Sequence, residues 1–461
     1  MTLFKTLPAV SLAAALLSGC ASAPLPPPSF ATPAAFATAS EASSTPAPQT
    51  GGWWLIFSDP VLDDLMARAS QQNNDIRLSA AHLEQARALL KSSHADLWPQ
   101  AGVSYNPSQS TYLQPQGKAA TSHALDLNLS YEVDLSGRLA KAASAAHLDA
   151  EAAQSLLDET QLLIQSQVAQ SYFALRALDE DRAIVADTLT AYRGSLDVTQ
   201  KRFKEGDIAE LDVARMQTEV ASTEAEGAAL DQQRAELAHA LAILVGEPAS
   251  TFDVTTSRWA SQPWAGSVPA IPAGIPADVL ARRPDVKAAQ ASLFAAQKRV
   301  GIAKAAWLPS LSLTASGGYL SPDLDTLVKS TSTSWSLAAM LSQAVFDGGQ
   351  RRARIDYAQG GLDAAFATYQ QQVLTALGDV EDQLSDLGYL RQQQTAQDAG
   401  LEAANRALAM SQSRYANGSS SQLDVLDAER QQLAVRRQAL RVRAARYEST
   451  VGLIRALGGA W

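Results

Sequence analysis

With a single cysteine among 461 residues, Cys20, the chain can form no intramolecular disulfide. Five scattered histidines and that one thiol give no cluster with the ligand spacing of a zinc or haem site, so no metal or other bound cofactor is predicted. Net positive charge is lacking too. There are 37 Lys and Arg against 47 Asp and Glu, a formal charge of -10, which argues against a nucleic-acid-binding protein. Beyond residue 19 there is no uninterrupted apolar run of the roughly 18 residues that a membrane-crossing helix needs. Proline is missing from two long stretches, 139–204 and 351–415, and the first of them contains a single glycine, Gly194. That last absence permits a pair of unusually long helices.

The N-terminus has a different composition. Lys5 precedes the apolar stretch Leu7 to Leu17 and then Leu17-Ser18-Gly19-Cys20, the charged, apolar and small-residue sections of an export signal over residues 1–19. The pattern resembles a bacterial lipoprotein signal. That resemblance implies cleavage before Cys20, a covalent lipid such as palmitate on that residue, and, with Ala21 next in sequence, sorting to the outer membrane. Residues 20–58, rich in Ala, Pro, Ser and Thr, read as an extended tether that ends where Trp53, Trp54 and Phe57 pack onto the body.

The rest of the chain is a duplication. Arg202-Phe203-Lys204-Glu205-Gly206 and the Leu211-Asp212-Val213 that follows return as Arg414-Tyr415-Ala416-Asn417-Gly418 and Leu423-Asp424-Val425, at an offset of 212 residues. In each copy a long helical pattern runs into the glycine and another starts at Leu-Asp-Val, which predicts the tip of a helical hairpin. Repeat 1 spans 59–250 and repeat 2 spans 277–461, joined by a connector at 251–276. Each is read as a helix, two strands, a long helix and a return helix. The long helices are predicted over 139–204 and 351–415 and the return helices over 211–245 and 423–457. Strands are predicted at about 102–112 and 124–135, and again at about 310–319 and 332–346. In Leu125 to Leu135 apolar and polar residues alternate without a fault, as a barrel strand facing lipid on one side and water on the other requires. Four strands cannot close a barrel, and open edges are not tolerated in hydrocarbon. Three copies would supply twelve strands, whereas two would leave little room for a lumen.

The duplicated plan, together with Arg283-Pro284-Asp285-Val286, the exit from a strand at Asp347-Gly348-Gly349, and Tyr415 through Asp427, resembles the outer-membrane efflux protein family. These are the TolC-like exit ducts of tripartite pumps, and the closest likeness is to the lipoprotein branch. The resemblance implies a mixed alpha/beta membrane protein: a trimeric 12-stranded beta barrel, four strands per chain, continued by a long alpha-helical periplasmic barrel. It also implies a periplasmic membrane fusion adaptor and an inner-membrane transporter of the RND type as partners, and no catalysis.

Candidate functional residues fall at the tips. Asp424 and Asp427 lie three apart on one helical face, so three chains would bring six carboxylates together and favour cations there. Crowding of that kind raises carboxyl pKa values. In the resembled family an aspartate pair at these positions lines the periplasmic constriction, an aromatic matching Tyr415 helps hold it shut, and some members place a clamp arginine where this chain has Ser420. The alternative reading leaves Asp424 as a helix N-cap and Asp427 as a charge near the positive helix end. In repeat 1 the matching positions are Asp212 and Arg215, an ion pair or a gate contact, beside Phe203. Gly206 and Gly418 permit the turns. The surfaces at 204–211 and 417–423 are the candidate adaptor contacts, and the basic run Arg436, Arg437, Arg441 and Arg443 reads as solvated wall. A duct for protein or polysaccharide secretion and a non-channel coiled-coil lipoprotein remain open as alternatives.

Overall fold

The computed structural model describes residues 33–37, 52–111, 119–254, 268–272 and 274–459. Cys20, the signal at 1–19, most of the tether and part of the connector lie outside the described residues. A 3-10 turn, Trp53–Phe57, leads into α1 (Pro60–Gln72), α2 (Asn74–Ala95), β1 (Gln100–Thr111), β2 (Ala119–Val133), α3 (Arg138–Lys204) and α4 (Glu210–Val245). The second repeat runs α5 (Pro276–Arg282), α6 (Pro284–Ala305), β3 (Ser310–Ser321), β4 (Thr333–Ser342), α7 (Gln350–Ala416) and α8 (Gln422–Ala456). With 67 residues each, α3 and α7 are about 100 Å long at about 1.5 Å per residue. Among the described residues no helix is long and apolar enough to cross a membrane.

Two compact units divide the chain. The first holds His82–Gln154 and Ala288–Gln371. The second holds Thr32–Ala81, Ser155–Lys287 and Gln372–Trp461.

In the first unit the strands form one antiparallel sheet in the order β1-β2-β3-β4. Register decides its chemistry, because residues directly opposite one another share a face. One face carries the rows Val103, Leu127, Gly317, Trp335 and Ala101, Leu129, Ala315, Leu337. The other carries Ser104, Asp126, Gly318, Ser334 and Gly102, Asn128, Ser316, Ser336, tied by bonds such as Asn128 Nδ2 to Ser104 Oγ at 2.9 Å. Large side chains on the first face stand in the open, Trp335 at 80% and Leu337 at 75% exposure. That face is built for lipid. Two bounds differ from the predicted strands by more than two residues. β2 begins at Ala119 because Thr111 pairs with it, and β4 ends at Ser342 because its partner β3 starts at Ser310, just after Pro309. Aspartates then start both long helices: Asp134 accepts the N–H groups of Leu139 and Ala140 (3.1 and 2.8 Å), and Asp347 those of Gly349 and Arg351 (3.0 and 3.1 Å).

In the second unit the duplication shows in the breaks between paired helices. Asn73 separates α1 from α2, accepts the N–H of Asp75 at 2.8 Å, and donates from Nδ2 to the Leu244 carbonyl near the end of α4 at 2.9 Å. Its counterpart Arg283 separates α5 from α6, grips Asp285 and Asp379, and donates to the Ala456 carbonyl at the end of α8 at 3.0 Å. Different side chains thus perform one job: each fastens a break to the end of its return helix. The tether residue Phe36 enters a cluster with Val279, Val380, Leu453, Ala456 and Leu457, a burial that contributes about 1.5–3 kcal/mol. Trp53 is buried, and Phe57 packs on Phe173 and Tyr447 at centroid distances of 4.9 and 6.0 Å.

The basic run on α8 corrects its sequence reading in one place. Arg437 is not solvated wall: its guanidinium forks onto Asp181 of α3 (2.6 and 2.8 Å) and also reaches Glu226 of α4. Carboxylates 211 and 256 residues away in sequence make this contact, which helical periodicity cannot show.

Candidate functional site

Both hairpin tips close with the same hydrogen bonds. Gly206 N–H donates to Phe203 O at 3.0 Å and Asp207 N–H to Arg202 O at 2.9 Å; Gly418 donates to Tyr415 O at 2.9 Å and Ser419 to Arg414 O at 2.8 Å. This is the Schellman pattern, and it needs a left-handed residue at its corner. The two glycines supply it, with φ of 81° and 71°.

Beyond the glycines the tips diverge. Ala209 stands at the N-cap of α4 with no side-chain cap, whereas α8 starts in a full capping box. Ser421 is the N-cap: its N–H donates to Asp424 Oδ2 at 2.9 Å, its hydroxyl also donates there at 2.9 Å, and the Asp424 N–H returns to Ser421 Oγ at 3.3 Å. These bonds, the backbone one first, hold the Asp424 carboxyl below its ordinary value. Asp424 therefore caps from the third helical position while remaining exposed to solvent. One turn on, the exposed Asp427 meets Arg430 at 3.4 Å, and Arg430 also forks onto Glu219 of α4.

A second tie joins the hairpins. Arg202, at the end of α3, donates from Nη1 to the Tyr415 hydroxyl at 2.8 Å and lies 6.0 Å from its ring centroid. Ser420 has a shielded hydroxyl with no hydrogen-bond partner. Asp212 and Arg215 form a local ion pair at 3.5 Å, and Phe203 is 42% exposed. Tyr415, Asp424 and Asp427 thus each belong to a bonded group at the second tip. Arg202, Arg430 and Glu219 were not singled out from the sequence. Only the presence of an arginine at the same place in both copies, Arg202 and Arg414, hinted at one of them.

An antiparallel sheet with one lipid-facing side, two open edges and 100 Å-class helical hairpins defines a subunit of an outer-membrane channel. The model of the family described as outer membrane efflux protein matches residues 65–247 and 275–459, and the chain belongs to that family. It is 33% identical over 411 residues to the toluene efflux pump outer membrane protein TtgI of Pseudomonas putida, with 88% of this chain and 87% of TtgI covered. It is 33% identical over 420 residues to the pyoverdine export outer membrane protein OpmQ of Pseudomonas aeruginosa, with 89% and 87% covered. The crystal structure of the Campylobacter jejuni CmeC outer membrane channel superposes with a TM-score of 0.86 at 26% identity, covering 95% of this chain and 94% of that one.

The chain is accordingly the outer-membrane component of an efflux system. Its four strands are one third of a twelve-stranded barrel in a trimer, and its long helices are staves of a periplasmic helical tunnel. It works with a periplasmic adaptor and an inner-membrane pump.

Proposed function

We propose that this chain is a passive exit duct for small molecules, closed at its second hairpin tip and anchored in the outer membrane by a lipid on Cys20. The observation that carries the gate is the placement of Asp424 and Asp427: both are exposed, one turn apart, on a helix start that Arg430 and the Arg202–Tyr415 bond hold against the first hairpin. Threefold repetition turns such a pair into a ring of carboxylates, which selects cations and repels itself. Capping and lining are compatible roles for Asp424, since its bonds to Ser421 engage one carboxylate oxygen, Oδ2. No bond-making step is assigned to the chain. Small cargo is favoured by relatives named for toluene efflux and pyoverdine export.

The test is conductance of reconstituted trimers carrying Asp424→Ala and Asp427→Ala. Cation selectivity and block by divalent cations are expected to fall in both. Selectivity equal to wild type in both would refute the lining role. Mass spectrometry of the mature N-terminal peptide tests the lipid on Cys20, and a strain lacking the gene should gain sensitivity to apolar solvents or drugs.

A further inference from the structure

Two residues past Asp427, α8 carries an acid of a different kind. Asp427 is exposed, while Glu429 is part-buried with its Oε2 shut away from solvent and without a hydrogen-bond partner. Beside it lies a small core in which Tyr192 of α3, Met216 of α4 and Leu426 of α8 are at most 2% exposed, flanked by Leu196 and Val220. Tyr192 is 1% exposed and its hydroxyl is likewise without a partner. Each packed element contributes a group. From α3 comes the Tyr192 hydroxyl, from α4 Glu219, and from α7 Gln412, whose side chain hydrogen-bonds Glu429; α8 itself adds Arg430, which Glu219 holds. Among charged groups, Glu429 acts most strongly on Tyr192.

A carboxylate oxygen shut away from solvent without a partner is tolerable when the acid is uncharged and costly when it is ionised. Burial pushes Glu429 up from its ordinary value, with the Gln412 hydrogen bond opposing. Burial also pushes Tyr192 up to about 12, so the phenol stays neutral across the physiological range. We propose that Glu429 is the positioning residue of the second tip: uncharged, it keeps the first turns of α8 seated against α3 and α4 with Arg430 between Asp427 and Glu219, and loss of its proton unseats them. The functional consequence rests on the gate reading; the packing consequence does not. An acid raised in the folded state contributes stability below its ordinary pKa and loses it as pH rises through the raised value, so the tip loosens towards alkaline pH.

Amide hydrogen exchange of residues 422–432 in the detergent-solubilised trimer tests this across a pH series that starts in the ordinary carboxylate range and runs to mildly alkaline. After correction for intrinsic exchange, wild-type protection is expected to fall severalfold as pH rises. Glu429→Gln, which keeps the shape and removes the titration, should show a flat profile at the acid-form level, and Tyr192→Phe should retain the pH dependence. A flat wild-type profile, an unchanged slope in Glu429→Gln, or a slope lost in Tyr192→Phe would each overturn the proposal. If Glu429→Gln flattens exchange while the pH dependence of conductance is unaltered, the gate reading fails and the role of Glu429 stands.

Discussion

Replacing Tyr415 with Phe isolates one bond at the tip. The ring remains, and with it the contact to the Arg202 guanidinium at 6.0 Å, but the hydroxyl that accepts from Nη1 at 2.8 Å is gone. Hydrogen bonds to charged groups contribute about 1.5–3 kcal/mol, and partial exposure at the tip reduces this to about 1 kcal/mol per subunit. Three subunits that open together lose about 3 kcal/mol of closure, which at about 1.4 kcal/mol per decade raises the open-to-closed ratio roughly a hundredfold. Single-channel recording in planar bilayers reads that ratio directly as open probability. The companion variant Arg202→Met completes a double-mutant cycle: if the two residues act through their mutual bond, the double variant should be about as open as the more open single variant. Wild-type open probability in Tyr415→Phe, or strict additivity of the two variants, would refute the tie between the hairpins.

Other changes probe the remaining features. Ser421→Ala removes the N-cap of α8 and should cost about 1 kcal/mol in denaturant titration. Because Asp424 is held below its ordinary pKa by Ser421, the stability it contributes is present above the ordinary carboxylate range and disappears as pH falls through the depressed value. The acid limb of the stability profile should therefore flatten in Ser421→Ala. Asp285→Asn removes a carboxylate from the buried Arg283, and loss of one partner of a buried pair costs about 3–5 kcal/mol, seen as a lower melting temperature of the trimer. Burial alone would raise Asp285, the Arg283 guanidinium overrides it and lowers it, and so wild type should lose this stability on acidification while Asp285→Asn does not. In Gly318→Ala the new Cβ would collide with the Leu125 carbonyl oxygen across the β2–β3 pair, so the trimer band on an unheated gel should vanish. A normal band would show that the sheet can shift to accommodate it.

Local signals made much of this legible in advance. A glycine that must adopt positive φ, a helix without proline and a strand that alternates every residue all act over a few positions, and the duplication lets each be read twice. The tips, long helices and strand pairs were found in that way. What escaped were contacts made across sequence distances of 211 to 256 residues: Arg202 with Tyr415, Arg430 with Glu219, Arg437 with Asp181. An arginine on a long helix has the same sequence signature whether it meets water or a carboxylate from another hairpin. Glu429 was hidden for the same reason, since only packing by α3, α4 and α7 distinguishes it from the exposed acids around it. The end of β4 at Ser342 was missed because strand length is set by the partner strand.

The sheet order has an evolutionary consequence. β2 and β3 belong to different repeats yet pair antiparallel along eleven positions, so the seam within the chain has the same sense as the seam that β4 and β1 must form between chains. The ring is thus a hexamer of half-chains in which every second joint has become covalent. Fusion freed the two halves from having to remain identical. One has Ala209 at its helix start and pairs Asp212 with Arg215, and the other has Ser421 at its helix start and Asp427 where the first has Arg215. Anything that approaches the ring at its tips therefore faces sites alternating in two kinds, one of each on every subunit.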